Sequence, residues 1–226
     1  MRPGRTLFDK GGRVGGMIRR GTDGDGRKAA AQNNAAPTAF STRRLTDFSQ
    51  VEQLYKSRLK KDFARNELRP LASLRRSWEK DAYDCYGLFA GEELLGYAFF
   101  VRQGKNYLFD YLGIAEDYRD QGLGSIFLRQ LAAGLTEADC VIGEVEDPEK
   151  AKDEQTRAVR QRRLQFYLRS GYLKTELRSV VFGVDYRILE IPTGTTHTAD
   201  ELRTIYTGLY RSILPAPFFR TQFQVC

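Results

Sequence analysis

Apolar residues change their spacing along this chain in a regular succession, and each spacing predicts an element. Phe40–Arg44 reads as a short strand. Phe48, Val51, Leu54, Tyr55 and Leu59 then recur at helical intervals, with Thr46 or Ser49 as the cap and Ser49 with Glu52 as a capping box. Pro70 suits the first turn of a second helix with Leu71, Leu74 and Trp78 on one face, and residues 63–68 form the loop before it. Strands follow at Tyr83–Ala90 and Leu94–Arg102, joined by Gly91-Glu92-Glu93, and a turn at Gln103–Asn106 leads into Tyr107–Ile114. These strands are apolar on both faces, as when helices cover both sides of a sheet.

The period returns to helical over Gly122–Gly134, where Leu123, Ile126, Phe127, Gln130 and Leu131 mark the inner stripe and only Gln130 is polar. Cys140–Val145 is a short buried strand. Residues 152–169 begin highly charged and end in Leu164, Phe166, Tyr167 and Leu168, a helix whose second half docks and which Gly171 terminates. Strands are predicted at Tyr172–Thr175 and Val180–Glu190. Thr198 with Glu201 opens a last helix carrying Leu202, Ile205, Leu209 and Ile213, which Pro215 stops. The order predicts a mixed α/β fold, with one sheet and few parallel crossovers.

Composition narrows this picture. The 226 residues are 41% hydrophobic and 12% aromatic, enough for a real core. No apolar run is long enough to span a membrane, and the arginine-containing start has no apolar segment of a secretory signal. Cys85, Cys140 and Cys226 are too few and too scattered for a disulfide framework or a zinc site, which points to a reducing, cytoplasmic setting. The net charge of +7 divides unevenly. Residues 1–38 hold eight Lys/Arg and three Asp, a net of +5, and the other 188 residues hold 28 basic and 26 acidic side chains, a net of +2. This split weakens the case that the folded part binds nucleic acid through bulk charge. Residues 1–38 also hold eight of the 21 glycines, and they are expected to be a disordered extension. Residues 39–226 are the folded domain, with 191–226 a helical C-terminal extension that covers the sheet or forms a subunit contact. His197, the one histidine, is taken as a loop residue, so serine-triad, cysteine–histidine and histidine-rich metal chemistries lack their parts.

The sharpest local signal runs from Leu112 to Gly124: a strand ends, a polar turn follows, and a glycine-punctuated helix begins. Gly122 and Gly124 let a ligand approach the backbone, the free N–H groups of the helix start favour a phosphate, and Arg119 adds a charge. The GK[ST] of a phosphate-binding NTPase loop is absent.

Arg119-x-x-Gly122-x-Gly124 after Leu112-Gly113-Ile114 resembles the acyl-CoA signature of the GNAT N-acetyltransferase superfamily. Phe166-Tyr167-Leu168-Arg169-Ser170-Gly171-Tyr172 is similar to that family's helix-to-strand element, and the element order agrees from about residue 40 to 190. The resemblance implies a mostly antiparallel sheet flanked by helices, and acetyl-CoA as co-substrate without a metal. Backbone N–H groups of Gln121, Gly122, Leu123, Gly124 and Ser125 would hold the pyrophosphate. Leu112 and Ile114 would pair with the pantetheine arm, and Tyr167 would protonate the leaving sulfur. Arg160 stands where many members place an asparagine, and is read as a solvated face. For the base, Glu144 ranks first, then Asp110 and Glu146, with Glu67 in the loop where the family builds its acceptor wall. Glu144 and Glu146 share a strand face, Asp110 shares the parity of Leu112, and Asp147 and Glu149 read as a solvated charge run. The expected reaction is direct acetyl transfer from acetyl-CoA to a primary amine of a small molecule or peptide, by a monomer or homodimer, with nucleic acid and membrane not expected as partners. The alternative is a non-catalytic acyl-CoA-binding sensor or partner-binding module.

Overall fold

A computed structural model describes residues 40–63, 65 and 67–226. The expected extension over residues 1–38 lies outside the described residues, as do Ala64 and Asn66 of the predicted loop. β1 (Phe40–Arg44) leads to α1 (Phe48–Leu54), a π-helical stretch (Tyr55–Leu59) and the short α2 (Lys60–Asp62). The α1 cap is neither Thr46 nor Ser49. Asp47 takes the position and its carboxylate accepts the Ser49 N–H at 2.8 Å. Aspartate is as good an N-cap as serine, so composition alone could not decide between neighbours.

α3 (Leu71–Glu79) precedes the antiparallel strands β2 (Tyr83–Ala90), β3 (Glu93–Gln103) and β4 (Asn106–Ile114). Then come α4 (Leu123–Gly134), β5 (Cys140–Glu146) and α5 (Glu154–Arg169). Gln130, the polar member of the α4 stripe, accepts from the Thr42 hydroxyl and donates to the Phe40 carbonyl, so it pins the helix to β1.

The next hairpin differs from its prediction. β6 runs Leu173–Val181 and β7 runs Val184–Ile191, turning at Phe182-Gly183 where both residues have positive φ. The alternating polar residues of 176–179 hid the first strand, and a phenylalanine in a left-handed turn is a poor turn signal. The chain also does not end with α6 (Ala199–Ile213). Pro215 opens α7 (Ala216–Gln222), and β8 (Phe223–Val225) pairs with the outer edge of β6.

The result is one eight-stranded sheet in the order β1-β2-β3-β4-β5-β7-β6-β8. Among the described residues, every neighbouring pair of strands is antiparallel except β4 with β5. One face packs on α1, α3 and α6 through residues such as Leu54, Leu74, Leu202 and Tyr206. The other packs on α4 and α5 through Phe127, Leu131 and Leu164. Among the described residues, no helix is long and apolar enough to cross a membrane.

Candidate active site

The site begins where β4 and β5 part. They pair only over Asn106–Leu108 and Cys140–Ile142. Beyond that, a bulge disturbs β4, because Phe100 faces Phe109 while Phe99 faces Tyr111. Asp110 is the extra residue, and a bulge both bends a strand and re-aims its side chains. The backbone of β4 from Phe109 to Ile114 therefore has no strand partner on the β5 side.

The same bulge corrects the placement of Asp110. Leu112 and Ile114 pack with the α4 and α5 layer. Asp110 turns to the opposite face, where it meets the Arg69 guanidinium at 3.1 Å and the Tyr83 hydroxyl at 2.5 Å. Tyr111 follows it there, accepting the Arg69 N–H and donating to the Glu67 carbonyl. These contacts lay the loop carrying Glu67 across the strand, and they commit Asp110 to Arg69.

Beyond β4, Asp120 and Gly122 both have positive φ, 61° and 78°. Gly122 is the N-cap of α4, and a Cβ there would meet nothing within 4 Å, so its need for glycine is conformational. Ser125 N–H and Ile126 N–H return to the Gly122 carbonyl, and the N–H groups from Gln121 to Gly124 bond no carbonyl among the described residues. That is the donor set an anion needs at a helix start. Gly124 has a different job from the expected one: a Cβ would stand 3.1 Å from the Phe166 ring, so this glycine lets α4 close on α5. Arg119 also differs. Its guanidinium binds the Ile114 carbonyl at 3.0 Å and Asp62 at 2.8 Å, and Asp62 in turn accepts from Tyr97. Arg119 thus braces the turn against α2 rather than standing free for a phosphate.

Across the opening, Glu144 on β5 lies under α6. The Tyr206 hydroxyl donates to it, the Tyr210 hydroxyl lies 2.9 Å from both of its oxygens, and Ser179 Oγ lies 2.8 Å from Tyr206. Burial pushes the Glu144 carboxyl up to about 7, against the two tyrosine hydrogen bonds that pull it down. Burial likewise holds Tyr206 and Tyr210 well above the ordinary phenol value, so both remain donors. Tyr186 on β7 is raised by burial and then by the negative charges of Glu144, Glu146 and Glu67.

Glu146 is engaged away from Glu144. It binds Arg160 at 2.8 Å and Arg163 at 2.9 Å, both on α5. Arg160 is accordingly not on a solvated face, since its side chain is 12% exposed in this pair. Asp147 is buried, caps the turn at Pro148–Lys150 and meets Arg187 at 3.0 Å, while Glu149 binds Arg178 and Arg187. The charge run is therefore an ion-pair cluster at the end of β5. A helix that crosses the strand end brings these arginines, which local sequence does not reveal.

Tyr167 sits on α5 between the Phe166 and Tyr172 rings, each at 5.2 Å. It is partly buried, and burial raises its hydroxyl above the usual value while Arg163 opposes this. The residues around Glu144 that the sequence analysis did not place in the candidate site are Tyr206, Tyr210 and Tyr186. The first two are four apart on an apolar helix face, and their polar tips were the available signal.

An acetyltransferase (GNAT) family model matches residues 48–171. No curated protein matches the chain. Among solved structures, a Bacteroides thetaiotaomicron protein assigned to the GNAT acetyltransferases is 18% identical, with a TM-score of 0.61 over 79% of this chain and 98% of that one. The ribosomal-protein-S18-alanine N-acetyltransferase of Escherichia coli is 15% identical, with a TM-score of 0.51 over 71% of this chain and 98% of its own. A spermidine N-acetyltransferase chimera from Vibrio cholerae and hSSAT is 14% identical, with a TM-score of 0.52 over 68% of this chain and 97% of its own. At such identities the structures establish a shared fold, and the family model, which spans more than half of the sequence, establishes kinship: this chain belongs to the GNAT family of acetyltransferases.

Proposed function

We propose that the chain transfers the acetyl group of acetyl-CoA to a primary amine, with Glu144 as general base and Tyr167 as general acid. The observation that carries this is the parting of β4 from β5, which leaves a strand edge on one side and a half-buried carboxylate on the other. The N–H groups from Gln121 to Gly124 would take the pyrophosphate, helped by the dipole of α4, while the Ser125 N–H is already committed to the Gly122 carbonyl. The backbone of Leu112 and Ile114 would align the pantetheine arm as an added strand, although the Ile114 carbonyl already accepts from Arg119.

The negative charges of Glu144 and Glu67 act on Tyr186, and the same charges would favour entry of an ammonium group. A carboxylate near pKa 7 is ionised in a useful fraction at neutral pH and basic enough to take the amine proton. The freed nitrogen attacks the thioester carbonyl directly, so no covalent enzyme intermediate is needed. As the carbon–sulfur bond breaks, the Tyr167 hydroxyl protonates the sulfur. A phenol held above its ordinary value by burial gives its proton only once thiolate character has developed, since a free thiol is the stronger acid. Cys85 and Cys140 are buried and unpaired, which supports a reducing compartment such as the cytoplasm.

The test is thermal unfolding with saturating acetyl-CoA, followed by CoA release with a panel of amines. Ligand at 100 times its dissociation constant adds ~2.7 kcal/mol, or about 5–10 °C for a domain of this size. A folded protein whose midpoint does not move with acetyl-CoA refutes the proposal.

A further inference from the structure

Away from the opening, at the closed end of the sheet, three residues of metal-ligating type meet. Cys140 starts β5, Glu190 lies near the end of β7, and His197 stands on the segment leading into α6. Their ligand atoms all lie within 4.8 Å of one another. His197 Nδ1 is 2.5 Å from Glu190 Oε1. Cys140 is fully buried and Glu190 is 3% exposed. A buried carboxylate needs a charged or hydrogen-bonding partner, and this imidazole supplies one to Glu190.

A second observation falls on the same face. Asn106 pairs with Cys140 across the β4–β5 ladder, and Asn106 Oδ1 is buried without a hydrogen-bond partner. Leu108, Cys140, Ile142 and Ile188 all belong to the core layer beneath α6. Strand alternation puts Asn106 with Leu108, and Glu190 with Ile188, on that side.

We propose that Cys140, Glu190 and His197 form a structural zinc site. Zinc accepts thiolate sulfur, imidazole nitrogen and carboxylate oxygen together, and its usual number of four leaves one position for Asn106 Oδ1 or a water. Tetrahedral bonds of about 2.0–2.3 Å separate ligand atoms by about 3.3–3.6 Å. The present cluster is within a small rearrangement of that size: the His197–Glu190 pair opens, and the thiol closes in. Binding releases the Cys140 thiol proton to solvent and presents a deprotonated ring nitrogen to the ion. The His197 side chain is 12% exposed, so the ion has a way in from the surface segment. The ion would join β5, β7 and the start of α6, the helix that carries Tyr206 and Tyr210. This role is separate from the acetyl transfer proposed above.

The experiment uses the full chain, freed of metal by a chelator and titrated with zinc chloride. Expected is one equivalent bound, with a rise in unfolding midpoint of about 5–10 °C at 100 times the dissociation constant. Cobalt(II) in its place should give a near-ultraviolet thiolate-to-metal absorption. His197→Ala, a change on a surface segment, should weaken zinc binding at least tenfold while the fold is retained. Cys140→Ser should abolish the cobalt absorption. Absence of stoichiometric binding overturns the proposal, as does equal binding by the parent protein and His197→Ala. Because activity is not the readout, failure here and failure of the acetyl-transfer reading are distinguishable.

Discussion

Replacing Tyr210 by phenylalanine isolates what α6 does for Glu144. The ring stays, with its contacts to Tyr206 and Phe223, and only the hydroxyl 2.9 Å from both carboxylate oxygens is lost. That hydroxyl favours the charged form, so its loss must raise the Glu144 pKa. A hydrogen bond to a charged group contributes about 1.5–3 kcal/mol, and one pKa unit corresponds to 1.36 kcal/mol, so the ceiling is about 1–2 units. Tyr206 still donates, and the neutral acid keeps part of any bond, so about one unit is expected. The Glu144 limb of kcat/KM then moves from about 7 to near ~8. At pH 7 the ionised fraction falls from about a half to about a tenth, a roughly fivefold loss, while near pH 9 the two enzymes converge. The assay is CoA release across pH with one amine, whose own titration is common to both proteins. A folded Tyr210→Phe enzyme whose limb keeps its midpoint, whatever its plateau, would falsify Glu144 as the base. Glu144→Gln gives an independent check on sign. A carboxyl raised from 4.5 to about 7 contributes stability that is full below about 4.5 and lost as pH rises through 7. The amide variant should therefore be the more stable protein at pH 8, by on the order of 2–3 kcal/mol relative to their difference at pH 4.

Three further outcomes are expected. Tyr167→Phe should cut turnover by about 10²-fold or more with little change in acetyl-CoA affinity by calorimetry, and unchanged turnover would remove Tyr167 from the reaction. Gly122→Ala meets no atom within 4 Å but forces alanine to φ 78°, costing about 1–2 kcal/mol in chemical denaturation and weakening acetyl-CoA binding; a variant equal to the parent in both would show that the turn is not held in this conformation. Glu146→Ala removes the carboxylate that Arg160 and Arg163 share at 12% and 9% exposure and should cost about 3–5 kcal/mol of stability, whereas a loss of activity without a loss of stability would return Glu146 to the list of bases.

The sequence by itself determined the elements whose signals are local. Helical spacing fixed α4, the Thr198–Glu201 capping box fixed the start of α6, and Gly171 marked a helix end of positive φ. The turn before α4 and the aromatic segment at Phe166–Tyr172 were enough to indicate the family, because binding a phosphate on a helix start demands a fixed local backbone. What the tertiary structure decided was which charges meet. Glu144, Glu146, Asp110 and Arg119 look alike as exposed or strand-borne polar residues in sequence. One lies under two tyrosines from a helix more than sixty residues away, and the others are taken up by arginines or an aspartate from distant elements. The bulge at Asp110 reversed the face that alternation assigned it. Burial and pairing set the chemistry of an ionisable group, and both depend on what packs against it rather than on its neighbours in the chain.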